Sequence, residues 1–386
     1  MLNLAGISPA LSSIGSVAAE YHERMAKQLS FALEVCRLTP NFWEANIDII
    51  NASISNVLSA KLLNARPVAC YFDSPIPPSN YTAIAVDGSQ IPLDRHSPIP
   101  YFLINIGEAV IHYGSRDRPR LCSCPTLFYT EDQILQKGSD GEMSYATDAH
   151  VAQIRSKLEI SRLSNLILDS GKRQNVIGLV DGPLILWTQD PKQTSRHASP
   201  AIKELCSLLS AAQTTGAAII GYISRPGSRE VVNVIRKASS IAADEKSASP
   251  IPLDRINDAQ LFAAILQSGQ RSAVFESSAE ILKRYETGAD RIGFFYFHTG
   301  KEIARVELPI KGAEVEPTAA AVHALLLDQA CKGGGYPISL MESHEQAVVR
   351  IEDRSAVEHL IINELHRRRV QITNTRKALS KRVRPI

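Results

Sequence analysis

The stretch Ala83-Ile84-Ala85-Val86-Asp87-Gly88-Ser89-Gln90, AIAVDGSQ, runs small and β-branched apolar residues straight into a carboxylate and a glycine. Such a run reads as a buried strand, and Gly88-Ser89 reads as the turn that leaves it, which puts Asp87 at the mouth of a sheet. Taken alone, the aspartate is explained as the cap of an Asx turn. The pattern returns, however, at Val176-Ile177-Gly178-Leu179-Val180-Asp181-Gly182-Pro183. Two neighbouring strands that both end in aspartate bring two carboxylates together, and like charges at short range raise one another's pKa. A bound cation resolves that conflict, so the repeated pattern points to a sheet-edge metal site.

Between the two strands, the segment from Asp148 to about Leu168 places Val151, Ile154, Leu158, Leu163, Leu166 and Ile167 at helical intervals, as a helix packed on the sheet requires. Glu159 lies on it. Asp87, Glu159 and Asp181 thus follow the order strand, helix, strand, which is the ordering of acids in ribonuclease H-like nucleases. Three carboxylates so placed can hold one or two divalent ions that activate water against a phosphodiester. Glu159 also reads as an ordinary helix ion pair, with Arg155 four residues before it and Arg162 three after. Glu108 is the rival acid. It sits in YFLINIGEAVIHYG (101–114), which reads as two antiparallel strands meeting around Gly107-Glu108.

Further along, GGGYPISLMESHEQAVV (333–349) sets Tyr336 and His344 eight residues apart behind a triple glycine. Glycine lets backbone approach a ligand closely. Imidazole serves as a divalent-metal ligand or a proton donor beside carboxylates, although a lone histidine is more often structural. The Tyr336 hydroxyl suits a phosphate oxygen or a held water.

The remainder of the 386-residue chain, 44% hydrophobic and 21% charged, is that of an ordinary globular protein with room for a sizeable core. The N-terminus has no basic region ahead of its apolar residues, and no long apolar run occurs, so the sequence predicts neither a signal peptide nor a membrane span. A cytoplasmic location follows as the expectation. Six scattered cysteines lack zinc spacing and read as reduced thiols. Net charge is only +2, but residues 367 to 386 carry eight Lys/Arg and no acid, a tail that suits either a phosphate backbone or a solvated terminus.

The predicted organisation is a helical N-terminal arm over 1–66, a catalytic domain over 67–365 and the basic tail over 366–386. Within it, residues 130 to 147 read as loop, 199 to 213 as helix, GAAIIGYIS (216–224) as strand, and 238 to 252 as a Ser/Ala-rich linker. Arg291 to Pro309 reads as a hairpin, Pro317 to Ala330 as a helix entered at proline, and a last helix begins near Arg354.

With VDGS at Asp87, VDGP at Asp181, FFYFHTGKEIARVELP and GYPISLMESHEQA in place, the chain resembles the NurA nucleases over residues 81 to about 350. The resemblance implies a ribonuclease H-like α/β fold, a mixed central sheet flanked by helices. It implies a homodimer that cleaves DNA from five-prime ends and within single strands, using manganese or alternatively magnesium. It also implies docking onto a hexameric HerA-type ATPase, with no membrane partner. The family's catalytic positions fall on Asp87, Glu159, Asp181, Tyr336 and His344, with Asp87, Glu159, Asp181 and His344 as metal ligands and Glu108 still the alternative to Glu159. A reading from a different class is a non-catalytic DNA-binding adaptor of a translocase, but such a subunit would be expected to lose an acid, and this chain keeps all three.

Overall fold

The computed structural model describes residues 4–370 apart from 53–56, 94–96, 138–140, 172, 187–198, 245–251, 287–289, 311 and 313–314. Most of the basic tail therefore lies outside the described residues. The chain divides into two compact units, each built from separate stretches of sequence: Met1–Pro78, Gly182–Thr194 and Ile220–Tyr336 in the first, Ser79–Asp181, Ser195–Ile219 and Pro337–Ile386 in the second.

Helices α1 (Ser8–Cys36) and α2 (Pro40–Ala52) open the first unit, followed by the short strands β1 (Lys61–Leu62) and β2 (Tyr71–Phe72). The second unit begins with three long strands, β3 (Tyr81–Ile91), β4 (Phe102–Tyr113) and β5 (Arg120–Phe128). Residues 130 to 147, expected to be loop, hold a short helix α3 (Glu131–Ile134) and a hairpin of β6 (Leu135–Lys137) and β7 (Met143–Tyr145). Then come α4 (Asp148–Asp169), β8 (Val176–Asp181) and α5 (Pro200–Thr215), after which β9 (Ala218–Ser224) belongs from Ile220 onward to the first unit. Capping residues mark the helix starts: Thr147 accepts from the His150 amide and Ser199 from the Ile202 amide.

Within the second unit the strand order is β8-β3-β4-β5, with β3 parallel to β8 and antiparallel to β4, and β4 antiparallel to β5. This is a mixed sheet, as the sequence predicted. Its core includes the buried Ala83, Ile84, Ala85, Ile177 and Leu179 of the sheet, Leu163 and Ile167 of α4, and Leu208 and Leu209 of α5; Ile84 and Gly178 face α4, and a Cβ at Gly178 would meet Ile167.

Two expectations about glycines fail here, for one reason. Gly88-Ser89 is no turn, because β3 runs through both to Ile91 and stays paired with β4 along its whole length. Gly107 does not divide two strands either; β4 is a single strand of 12 residues. Both glycines mark places where another element comes close to the sheet. A Cβ on Gly107 would collide with the Ser343 carbonyl and the Ala347 amide of the helix spanning Ile338–Ala347, and a Cβ on Gly88 with the Glu159 carboxylate.

In the first unit the chain continues through α6 (Glu230–Asp244), α7 (Asp258–Ala263), β10 (Arg271–Ser272), β11 (Phe275–Glu276), β12 (Ile292–His298), β13 (Ile303–Pro309) and α8 (Glu316–Lys332). The expected linker at 238 to 252 is thus, up to Asp244, the amphipathic end of α6, whose Val231, Val234, Ile235 and Ala238 pack in an aromatic core with Trp43, Phe262, Phe275, Phe294 and Tyr296. The hairpin β12–β13 is as predicted, and β13 pairs onward with β9 from Glu307↔Gly221 to Ala304↔Ser224. The second unit closes with α9 (Ile338–Ala347) and α10 (Ile351–Arg367). Among the described residues no helix is long and apolar enough to cross a membrane.

Candidate active site

Strand register sets the two aspartates side by side. The parallel pairing of β3 and β8 ends at Val86↔Val180, and the next residue on each strand is Asp87 or Asp181. Corresponding residues of parallel neighbours share a sheet face, with strands about 4.8 Å apart. Asp87 is therefore not at the end of its own strand but where its neighbour stops, and Asp181, exposed, is that stop.

The antiparallel register with β4 assigns the remaining residues to faces. Asp87 lies opposite Gly107, and Ser89 opposite Asn105, so these four share one face. Helix α9 covers it. Asn105 Nδ2 donates to the carbonyls of Gln346 and Ala347 at 3.0 and 2.8 Å, Ser89 Oγ donates to the Ala347 carbonyl, and Ser123 Oγ donates to Asn105 Oδ1 at 3.0 Å. These bonds satisfy carbonyls that the last turn of a helix leaves unpaired. They fix the end of α9 that carries His344. Its Nδ1 lies 2.7 Å from Asp87 Oδ2, while Asp87 Oδ1 accepts from the Gly88 amide at 2.8 Å.

Val86, Gly88 and Glu108 point to the opposite face, against α4. Glu159 reaches the edge from that side through the space that Gly88 leaves empty, and its Oε1 lies 3.2 Å from Arg155 Nε. Burial raises the Glu159 pKa to about 7; Arg155 opposes the rise, and the negative charges of Asp87 and Asp181 add to it. The three acids are thus felt by one another, and Glu159 holds its proton to near neutrality.

Glu108, the rival acid, is fully buried and engaged elsewhere. It accepts from Arg162 Nε and Nη2 at 2.5 and 3.1 Å, from Arg120 Nη2 at 3.1 Å and from Cys124 Sγ at 3.3 Å. Burial alone would raise its pKa, but the bonds from Arg162 and Cys124 and the two guanidinium charges outweigh it and hold the carboxyl below its ordinary value. Tyr336 belongs to the first unit, where its ring lies edge-on to Tyr222 with centroids 5.2 Å apart. The second unit therefore brings together Asp87, Asp181, Glu159 and His344.

Ser89, Asn105 and the two glycines are parts of the site that reading the sequence misses. A signal exists: Asn105 interrupts the apolar run FLINIG, and Ser89 follows Asp87 at the period of two that keeps strand residues on one face.

As a donor set, three carboxylates and an imidazole suit a divalent cation, whose charge would offset the burial, and the added negative charge of Asp87 and Asp181, that keep the proton on Glu159. Among the described residues no group of three His, Cys, Asp or Glu is already gathered closely enough to hold an ion. The donors fit a metal by chemistry; they do not form a finished cage.

The chain is similar in fold to the crystal structure of the NurA nuclease from Sulfolobus solfataricus, with 12% identity and a TM-score of 0.50 over 85% of this chain and 92% of that one. It also aligns with LC9-RNase H1, a type 1 RNase H with the type 2 active-site motif, at 12% identity over 46% of this chain and 76% of that one, with a TM-score of only 0.22. No curated protein matches it. The family described as the NurA domain matches residues 81–349, more than half of the chain and all of the site just described. On that match the chain belongs to the NurA family.

Proposed function

We propose that the protein is a divalent-metal-dependent deoxyribonuclease of the end-processing type, cutting DNA from five-prime ends and within single strands, with manganese as its metal. The observation that supports this best is the convergence of Asp87, Asp181 and Glu159 from two strands and a helix, with His344 bonded to the first of them. When bound, a divalent ion supplies an activated water and charge stabilisation for the leaving oxygen. The chain's own residues do the rest. Asp87 and Asp181 present carboxylates from rigid strands. Glu159, protonated to about pH 7, would have to ionise to join them in holding a cation. His344 bonds Asp87 through Nδ1, which turns Nε2 outward as the nitrogen that exchanges a proton with the leaving group or water.

Partners follow the family reading: DNA, a second copy of the chain, and a HerA-type hexameric ATPase. The homodimer is supported by α1, where Ile7 just ahead of the helix and Leu11, Ile14, Val17 and Tyr21 along it are exposed large apolar side chains. A cytoplasmic setting fits the six cysteines, all free thiols. The adaptor reading has one observation in its favour, the absence among the described residues of a gathered metal cage.

One experiment separates the two. Labelled single- and double-stranded DNA is incubated with the protein, with and without manganese, and product lengths are read. Cleavage that needs manganese and is lost in Asp87→Asn and Asp181→Asn supports the nuclease. DNA binding with no cleavage in any metal would leave the adaptor.

A further inference from the structure

Helix α4 carries Arg155, Glu159 and Arg162 at positions i, i+4 and i+7, which lie along one face of a helix. Glu159 therefore has a guanidinium on either side. Arg155 pairs with it at 3.2 Å, whereas Arg162 turns away to the buried Glu108 of β4, which it grips with two bonds. The charges that shift Glu159 are those of Arg155, Asp87 and Asp181. Register makes this division possible: Glu108 lies opposite Val86, one residue before Asp87, on the face against which α4 packs.

We propose that Glu108 is a positioning residue that withholds Arg162 from Glu159. A cation and a guanidinium compete for the same carboxylate, so a second arginine on Glu159 would occupy the lone pairs a metal needs and oppose the metal by like charge. By binding Arg162 in a bidentate grip, Glu108 leaves Glu159 with a single positive neighbour and fixes the turn of α4 that hangs over Gly88. This rests on the metal-site reading above and assigns to Glu108 a role distinct from ligation.

The test is direct manganese binding to the full chain by calorimetry, with thermal denaturation to confirm folding, so that the readout does not depend on cleavage. Glu108→Gln keeps the shape and removes the charge that retains Arg162; its manganese dissociation constant is expected to rise by about tenfold. Arg162→Leu removes the competitor and is expected to bind manganese as tightly as wild type. The double variant Glu108→Gln with Arg162→Leu is expected to recover wild-type affinity, a rescue that a purely structural pin would not show. Unchanged affinity in Glu108→Gln, or a double variant as weak as the single, overturns the role of Glu108 while leaving the metal site standing. Wild-type protein that takes up no manganese overturns both.

Discussion

Glu159 is held protonated to about pH 7 against an ordinary value of 4.5, and the sign of that shift has consequences for stability and for metal binding. The folded state binds the proton more tightly than the unfolded one, so the metal-free protein loses stability as pH rises from about 4.5 through 7, by at most about 3 kcal/mol. Urea denaturation without metal should show that loss, and Glu159→Gln, which cannot ionise, should flatten it. Manganese must displace the same proton. Apparent affinity is therefore expected to climb with pH and level off above about 7, with proton release measurable in buffers of different ionisation enthalpy. At His344 the bond from Nδ1 to Asp87 is already made, so His344→Ala should cut the rate at saturating manganese by about 10 to 100-fold with little change in the metal required. A large rise in the metal requirement would make the imidazole a ligand instead.

At the scale of elements, the site is built by how closely two helices approach the sheet, and two glycines govern it. A Cβ at Gly107 meets backbone atoms of Ser343 and Ala347, which cannot rotate aside, so Gly107→Ala should push α9 outward. The expected cost is about 1–3 kcal/mol in denaturation, as for overpacked cores, together with reduced activity because His344 moves off Asp87. Gly88→Ala meets the Glu159 carboxylate and the Arg155 stem, both side chains that can shift. That variant should fold nearly as well as wild type yet bind manganese more weakly, because the carboxylate is displaced rather than the helix. Equal loss of stability in both variants would contradict this distinction. Neither role was legible in the sequence, where a glycine inside an apolar run reads equally as a turn. The choice was made by what lies above each residue, and that residue is hundreds of positions away for Gly107.

For the whole molecule, the predictions concern association. Leu11→Glu with Ile14→Glu places charge in the exposed apolar row of α1 and should convert a dimer to a monomer in light scattering, without loss of the site's metal binding. A wild-type monomer at micromolar concentration would remove the dimer from the proposal. The basic C-terminus is a separate matter of charge. Deleting residues 371–386, which hold five of the tail's eight basic residues, should reduce the steepness of log affinity for duplex DNA against log salt by about 0.9 for each phosphate that the segment neutralises. An unchanged slope would make that segment a solvated end.

The sequence by itself determined the mixed α/β class, the helix carrying Glu159, and both strands that carry aspartates, because hydrophobic periodicity is local and the segments are long enough to show it. It also marked Asp87, Asp181, Glu159 and His344, since reactive side chains that interrupt or follow apolar patterns are visible without coordinates. Only the tertiary structure shows how differently Glu159 and Glu108 are surrounded: Glu159 feels the charges of Asp87 and Asp181, whereas Glu108 is engaged by Arg162, Arg120 and Cys124. Both are acids beside apolar neighbours, and both lie on the α4 side of the sheet; register pairs Glu108 with Val86, where Arg162 and Arg120 engage it, while Glu159 reaches over Gly88 towards Asp87. Tertiary structure likewise settled that Gly88 and Gly107 admit neighbours instead of turning the chain. Pairing partners and close approaches are made across long sequence separations, and no local pattern records them.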